Sequence, residues 1–221
     1  MSVDNGQCLL GNGVKQNGSS ALGAGVYHQK KIIRTYNIQT TWDGQPINHD
    51  PIKITVGPVE STGHVMLSAS GPFFNDSERP PNSTVGEPYY GLWNYEAVEV
   101  FFLNDENHLL NTILSPYGVH LLLLSNEKDQ LPMNYTATIS GPMWHGVAHI
   151  PGEYFPPKVS RFNAYGTHGS DQERKYESLY PVPAGKYTDP IYNRLDYFKL
   201  IDFKDIVPDN WSQDYTSSEW N

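Results

Sequence analysis

Two glutamates, Glu96 and Glu99, interrupt the apolar stretch GLWNYEAVEVFFLND at residues 91–105. The valines and phenylalanines around them predict a buried β-strand over Ala97–Leu103, where an ionised carboxylate is costly unless it is paired, solvated or bound to a ligand. Because side chains alternate between the faces of a strand, Glu99 shares a face with Phe101, and the other row is wholly apolar. We predict that Glu99 lies on the outer face of a sheet. Glu96 lies at the strand entry, where water or a backbone donor can reach it.

Other predicted strands could bring polar side chains to the face of Glu99. In the strand Arg161–Thr167 the alternation leaves the odd-numbered residues on the polar face. In Val119–Leu124 it places His120 on one face together with Leu122 and Leu124. If these strands are neighbours, the outer face carries Glu99, His120, Arg161, Asn163 and Tyr165. Carboxylate, carboxamide, cationic donors and a ring together suit a sugar, whose hydroxyls need hydrogen bonds and whose C–H face needs an aromatic surface. The alternative without a ligand is that Glu99 pairs with Arg161 or His120 on a neighbouring strand, which contributes about 0.2–1 kcal/mol to stability.

The elements that would position these residues are short strands separated by Gly, Pro and Asn. No window longer than about ten residues keeps a helical period of 3.6. The pattern therefore predicts an all-β fold, an antiparallel β-sandwich. The predicted strands are Ile32–Thr41, Ile52–Val56, His64–Ala69, Ala97–Leu103, Leu109–Leu114, Val119–Leu124, Tyr135–Ser140, Met143–Ile150, Arg161–Thr167 and Tyr197–Phe203.

The composition along the chain predicts three segments. Residues 1–31 are rich in Gly, Asn and Ser and are interpreted as a flexible N-terminal extension. Residues 32–206 form the β-sandwich domain, and residues 207–221 form an acidic C-terminal tail. Within the domain, the connection Gly71–Trp93 carries four prolines and is long enough to be functional. We expect it to form a rim of the site.

Several segments resemble, in collinear order, an uncharacterised family named after a chromosome-4 open reading frame. They include TWDGQPINHDPIKI, LWNYEAVEVFFLND, SPYGVHLLLL, YFPPKVSRFNAYGTHGS and LDYFKLIDF, and the match runs from about residue 40 to residue 203. More remotely, the order W-x-x-x-x-V-E-V-F, S-P-x-G, R-x-N-x-Y resembles carbohydrate-binding module family 9 and its DOMON-like relatives. That resemblance implies a β-sandwich that holds a sugar or, in some branches, haem.

The remote resemblance also implies roles for individual residues. Trp93 would stack on a sugar ring, and Glu99, six residues later, would accept hydrogen bonds from its hydroxyls. His120 stands where the relatives have a basic residue, and Asn163 matches a late asparagine. The second aromatic residue is either Tyr165 or Tyr180.

Metal and cofactor sites receive weaker support from the sequence. His145 and His149 have a spacing that suits a helix, but on the strand predicted there they stand about 13 Å apart, too far to bind one ion. Oxygen ligands in LNDEN and NHDP leave calcium open, although neither has the spacing of an EF-hand loop. His168 is a lone candidate for haem, which the absence of a matching second ligand disfavours. The expectation is therefore no metal and no cofactor, with calcium as the alternative.

The charge balance argues against two classes of partner. The formal net charge is −9, and no Lys/Arg cluster extends beyond Lys30 and Lys31. A nucleic acid or an anionic membrane would therefore be repelled. The single cysteine, Cys8, forms no internal disulfide, and no signal peptide or transmembrane run is recognisable, so we expect a cytoplasmic protein.

The function predicted from the sequence is binding of a small, carbohydrate-like molecule on one face of the sandwich, without catalysis. The alternative is an enzyme that uses Glu99 and His120 as an acid–base pair in the same pocket. A protein-interaction module is the second alternative.

Overall fold

The computed structural model describes residues 33–58, 63–125, 131–190, 194–206 and 220. The predicted N-terminal extension, and the predicted C-terminal tail apart from Trp220, lie outside the described residues. The strands are β1 (Arg34–Ile38), β2 (Thr40–Thr41), β3 (Ile52–Pro58), β4 (His64–Pro72), β5 (Ala97–Leu103), β6 (Leu109–Leu114), β7 (His120–Leu124), β8 (Asn134–Ser140), β9 (Met143–Pro151), β10 (Arg161–His168), β11 (Lys175–Ser178) and β12 (Lys199–Leu200).

Helical structure in the described residues is limited to single 3-10 turns. These turns are Leu92–Asn94, Gly152–Tyr154, Asp171–Glu173, Leu195–Tyr197 and Phe203–Asp205. In this part of the chain no helix has the length needed to cross a lipid bilayer.

Two antiparallel sheets confirm the predicted all-β sandwich. One sheet has the order β1-β3-β4-β9-β8, and the other has the order β2-β11-β10-β5-β6-β7, with β12 paired to β10. Alternation explains the first sheet well, because every second residue of β4 is buried. The main core lies between the sheets, where Phe102 and Phe162 pack with residues such as Leu67 of the opposite sheet.

Strand β5 is buried on both faces, which its alternation does not predict. Two smaller apolar clusters cover its outer face. One cluster includes Ala97, Ile113 and Leu121 with the partly buried Trp93, and the other includes Phe101 and Tyr165 with Phe198. The outer face of the second sheet is therefore largely covered by residues of the connections.

The connection between β4 and β5 runs across the molecule from one sheet to the other. Phe74 and Asn75 donate their backbone N–H groups to the two carboxylate oxygens of Glu96, each at 3.0 Å. Pro88 then forms a parallel bridge with His120 on β7. Glu96 thus fixes the start of this connection through backbone donors, which confirms its predicted place at the strand entry.

Candidate functional site

The predicted group on the outer face is partly assembled. Antiparallel pairing sets Tyr165 opposite Glu99 and Asn163 opposite Phe101. Residues directly opposite each other in a ladder share a face, so Glu99, Asn163 and Tyr165 lie together as predicted. These three residues are called the outer-face group below.

Glu99 lies in a closed environment within this group. Only 3% of its surface is exposed, and Asn111 Nδ2 donates to Oε2 at 3.4 Å. Oε1 has no hydrogen-bond partner among the described residues. Burial raises the pKa of Glu99 to about 7, although the Asn111 hydrogen bond and the nearby Arg174 charge act against it. Near neutral pH this carboxyl group therefore exchanges between its protonated and ionised forms.

The donors and the acceptor of the Asn163 side chain all form hydrogen bonds within the protein. Its Nδ2 donates to the Tyr165 hydroxyl at 2.9 Å and to the Tyr180 carbonyl at 3.1 Å. Its Oδ1 accepts the backbone N–H groups of Ala164 and Tyr180. The Tyr180 ring, in turn, packs against Phe162 of the core. A ligand on the outer face would have to replace hydrogen bonds that Asn163 already makes, and it would not reach the Tyr180 ring.

The predicted placement of His120 on the outer face is wrong. His120 pairs with Leu114, which pairs with Val98, so all three belong to the row that faces the core. The imidazole is fully buried, and its ring centre lies 6.0 Å from that of Tyr135 in the opposite sheet. Burial lowers the pKa of His120 to about 4. Glu99 and His120 point to opposite faces of the sheet, so they cannot act as an acid–base pair on one substrate.

Arg161 is also set apart from Glu99, whereas Trp93 packs against the apolar cluster beside it. Arg161 pairs with Leu103 at the far end of β5, about 13 Å along the strand from Glu99, and donates to the Asn104 carbonyl. Trp93 lies in the 3-10 turn before β5, half-buried, with its ring edge-on to Tyr90 at 5.0 Å. A ligand role for the predicted residues stays a prediction. Their positions do not form one open clamp.

A second polar group, which the sequence did not predict as a site, lies at the end of the sandwich near β2 and β11. His49 comes from the connection between β2 and β3, His168 ends β10, and Glu177 lies in β11. Glu177 pairs with Gly166, where a Cβ would stand 2.5 Å from the Ile52 side chain of the other sheet, so this row faces inward. His49, His168 and Glu177 are called the edge cluster below.

The side chains of the edge cluster are in direct contact. Glu177 Oε1 lies 2.8 Å from His49 Nε2 and 3.5 Å from His168 Nε2. The potential ligand atoms of the three residues all lie within 4.8 Å of one another. Glu177 is 3% exposed, and its Oε2 has no hydrogen-bond partner among the described residues.

The connection after β4 completes the surroundings of His168. Asp76 Oδ2 lies 2.7 Å from His168 Nδ1, and Asp76 Oδ1 accepts the Gly169 N–H at 2.7 Å. The Phe74 ring stacks on the His168 imidazole with centres 3.6 Å apart. Burial disfavours the charged imidazole, but the carboxylates of Glu177 and Asp76 outweigh it and raise the pKa of His168.

The edge cluster opens into a pocket of about 480 Å³, called the edge pocket below. The connection Gly71–Trp93, predicted as a rim of the outer-face site, supplies Asp76 and Phe74, which contact His168 but do not line this pocket. Besides the edge cluster, the pocket wall combines the half-buried rings of Trp42 and Tyr176 with charged and amide side chains. The pocket is lined by Thr41, Trp42, Asp43, Gln45, Pro46, Ile47, Asn48, His49, His168, Arg174, Lys175, Tyr176 and Glu177.

Arg174 connects the edge pocket to the outer face. Its guanidinium donates to the carbonyls of Asn94 at 2.7 Å and Tyr95 at 2.9 Å, and also to that of Trp93. Its charge also acts on Glu99. The cation that influences Glu99 is therefore Arg174, whereas the sequence pointed to His120 and Arg161.

From the sequence, only parts of the edge cluster were considered as possible ligands. NHDP was considered as a calcium turn and His168 as a lone haem ligand, but β11 was not predicted, so Glu177 had no assigned face. The three residues come from segments that are separated by up to 128 positions, and no local spacing connects them. The sequence signal that could have indicated this site is the alternation expected if KYES forms a strand. In such a strand Glu177 and Tyr176 point to opposite faces.

The fold and this site define a class: an antiparallel β-sandwich with a polar pocket at one edge. No protein-family model matches the chain. The chain is 41% identical over 187 residues to the UPF0462 protein C4orf33 homolog of Mus musculus, covering 80% of this chain and 96% of the relative. The Danio rerio homolog is also 41% identical, and the Homo sapiens protein is 38% identical, with 93% and 92% of their lengths covered. The chain belongs to the UPF0462 C4orf33 family, which confirms the membership predicted from its sequence.

A solved structure shares the fold. It is a crystal structure from Bacteroides uniformis of a protein described as a "putative carbohydrate-binding protein". The TM-score is 0.53 at 14% sequence identity, over 76% of this chain and 85% of that one. At this identity the comparison establishes the common β-sandwich architecture.

Proposed function

We propose that this protein binds a small polyhydroxylated molecule of the carbohydrate class, and that it does so in the edge pocket. The observation that carries the proposal is the make-up of the pocket wall. Trp42 and Tyr176 supply partly buried aromatic rings, while Asp43, Asn48 and Lys175 offer acceptors and donors in the same space. Rings for the C–H face of a sugar and convergent polar groups for its hydroxyls are the features such a ligand requires.

Two further points support the proposal. A volume of about 480 Å³ lies in the range of small-molecule pockets, which is about 300–1,000 Å³. The structural neighbour described as carbohydrate-binding has the same fold, which makes a carbohydrate the first class of ligand to test.

The outer-face group is the second candidate location for the same function. The observation in its favour is the buried Oε1 of Glu99, which lacks a hydrogen-bond partner among the described residues. Against it stand the saturated Asn163 and the apolar clusters that cover this face.

The experiment is a thermal-shift screen of the full chain against neutral monosaccharides and disaccharides, followed by calorimetry with the saccharide that gives the largest shift. A ligand at 100 times its Kd adds about 2.7 kcal/mol to the stability of the native state, which such a screen detects. We expect Trp42→Ala to weaken binding about tenfold or more, a loss of at least 1.4 kcal/mol. Trp93→Ala and Glu99→Gln should bind as tightly as the wild type.

The opposite pattern, with loss in Trp93→Ala and Glu99→Gln only, would move the site to the outer face. If no saccharide raises the melting temperature, carbohydrate binding is refuted. Mass spectrometry of the recovered saccharide separates binding from catalysis, since a binding protein returns its ligand unchanged.

A further inference from the structure

The edge cluster contains more hydrogen-bond acceptors than neutral imidazoles can serve. His49 has the Asp50 carbonyl at 2.9 Å from Nδ1 and Glu177 at 2.8 Å from Nε2. His168 has Asp76 at 2.7 Å from Nδ1 and Glu177 at 3.5 Å from Nε2. A neutral imidazole carries one N–H, so each ring faces one acceptor that it cannot serve as a donor.

A cation between the two Nε2 atoms and Glu177 resolves this arrangement. Each histidine would then keep its proton on Nδ1 and donate it to the oxygen beside it, Asp50 carbonyl or Asp76 carboxylate. Metal-bound histidines make this contact almost without exception, because it fixes the tautomer and the ring orientation. Asp76 is itself held by the Gly169 N–H, so the orientation of His168 is built into the fold.

The buried charge of Glu177 also favours a cation in the edge cluster. Its carboxylate is 3% exposed, and its Oε2 is buried without a hydrogen-bond partner in the described part of the chain. A buried carboxylate stays ionised only when it is paired with a cation or bound to a metal. Among the described ion pairs no Lys or Arg contacts Glu177, so its cation is either a protonated imidazole of His49 or His168 or a metal ion.

The three ligand atoms lie close enough together to converge on a metal ion after small side-chain movements. With metal–ligand bonds of 2.0–2.2 Å, tetrahedral ligand atoms lie about 3.4 Å apart. The observed separations from Glu177 Oε1 are 2.8 and 3.5 Å. Two imidazoles and one carboxylate are a donor set of zinc and other first-row transition ions, whereas calcium takes six to eight oxygen ligands.

We propose that His49, His168 and Glu177 bind a divalent first-row transition ion such as Zn²⁺, with Asp76 orienting His168. All three ligands line the edge pocket, so the remaining coordination position faces the space in which a small molecule would lie. An oxygen of that molecule, or a water molecule, completes the coordination. This inference does not depend on whether the molecule is a sugar.

The test uses the full chain, stripped of metal with a chelator and dialysed, and titrated with ZnCl₂ by calorimetry. Co²⁺, which absorbs visible light when coordinated by protein ligands, serves as a second probe. We expect one equivalent of Zn²⁺ to bind with a Kd of about 1 μM or tighter. Asp76→Asn should weaken binding about 10–100-fold, as losses of such orienting residues do.

His49→Asn is the main ligand variant, because His49 lies in a connection and its side chain is 18% exposed, so that the fold should tolerate the change. It should lose more affinity than Asp76→Asn, and Glu177→Gln should do the same. His145→Gln is the matched control, since it removes an exposed histidine on β9 that lies outside the cluster. Circular dichroism and melting curves confirm that each variant is folded.

Cys8 and His28, which precede the described residues, could bind zinc in their own right, so a Cys8→Ser variant is included. The proposal predicts unchanged zinc binding in Cys8→Ser and His145→Gln and strong loss in His49→Asn. It is overturned if the wild type takes up no zinc, or if His49→Asn binds as tightly as the wild type. Repeating the saccharide titration with stripped and zinc-loaded protein separates this proposal from the proposed function, because either can fail alone.

Discussion

Two buried carboxylates, Glu99 and Glu177, lie in the same sheet with only strand β10 between their strands. Both are 3% exposed, yet their surroundings differ. Glu99 faces outward under apolar residues and is held by one carboxamide at 3.4 Å. Glu177 faces inward, contacts two imidazoles and borders a pocket. Burial alone therefore does not identify a functional carboxylate. The partners of the carboxylate and its access to a solvent-filled pocket distinguish Glu177 from Glu99.

The first prediction tests the residue that joins the two regions, and we expect the largest effect there. Arg174→Met removes charged hydrogen bonds to the carbonyls of Asn94, Tyr95 and Gly169. Leaving such groups without a donor should lower the free energy of unfolding by about 3–4 kcal/mol, measured by urea denaturation. Arg79→Met, which removes two exposed hydrogen bonds to Ser83, is the control and should cost less than about 1 kcal/mol. Equal costs would show that Arg174 does not hold the outer face to the edge pocket.

The second prediction concerns Glu99 and the direction of its pH dependence. Its pKa is raised from 4.5 to about 7, so its contribution to stability is complete below pH 4.5 and is lost as the pH rises through 7. Between pH 5 and pH 8, the stability of Glu99→Gln relative to the wild type should therefore improve by about 3 kcal/mol. Urea denaturation at both pH values measures it. Glu106→Gln, at a side chain that is 74% exposed, should show no such trend. A flat difference for Glu99→Gln would mean that Glu99 is ionised at little cost.

The third prediction concerns His120, whose contribution to stability depends on pH with the sign opposite to that of Glu99. Its pKa is lowered from 6.5 to about 4, so its contribution is complete above pH 6.5 and is lost as the pH falls through 4. From pH 7 to pH 4, His120→Leu should gain about 2–3 kcal/mol relative to the wild type. His145→Gln is the exposed control. Since Glu99 and His120 oppose each other between pH 4.5 and 6.5, the wild type should show only a shallow net slope from this pair. An His120→Leu variant that follows the wild type at every pH would contradict the buried, neutral imidazole.

Much of the fold follows from local pattern. Ala97–Leu103 and Leu109–Leu114 were predicted with the bounds that the structure gives, because apolar and β-branched residues fill them between clear turns. The predicted strand Tyr197–Phe203 shrinks to Lys199–Leu200 between two 3-10 turns. Short edge strands of this kind depend on a partner strand, which a single sequence does not specify.

The site was harder to predict than the fold, for two physical reasons. In HLLLL both alternating rows are nearly all apolar, so parity grouped His120 with Leu122 but could not say which row faces the core. The edge cluster, by contrast, forms through the pairing of β10 with β11 and through a connection that returns from β2. Residues that meet from such distant parts of the chain leave no recognisable spacing in the sequence.

We propose that this protein binds its metal ion and its ligand at the edge cluster and not on the outer face. The most direct measurement is anomalous X-ray scattering at the zinc absorption edge from crystals of the full chain grown with ZnCl₂. We predict a strong anomalous peak between His49 Nε2, His168 Nε2 and Glu177 Oε1. The absence of a peak there, or peaks confined to other residues, would contradict the account.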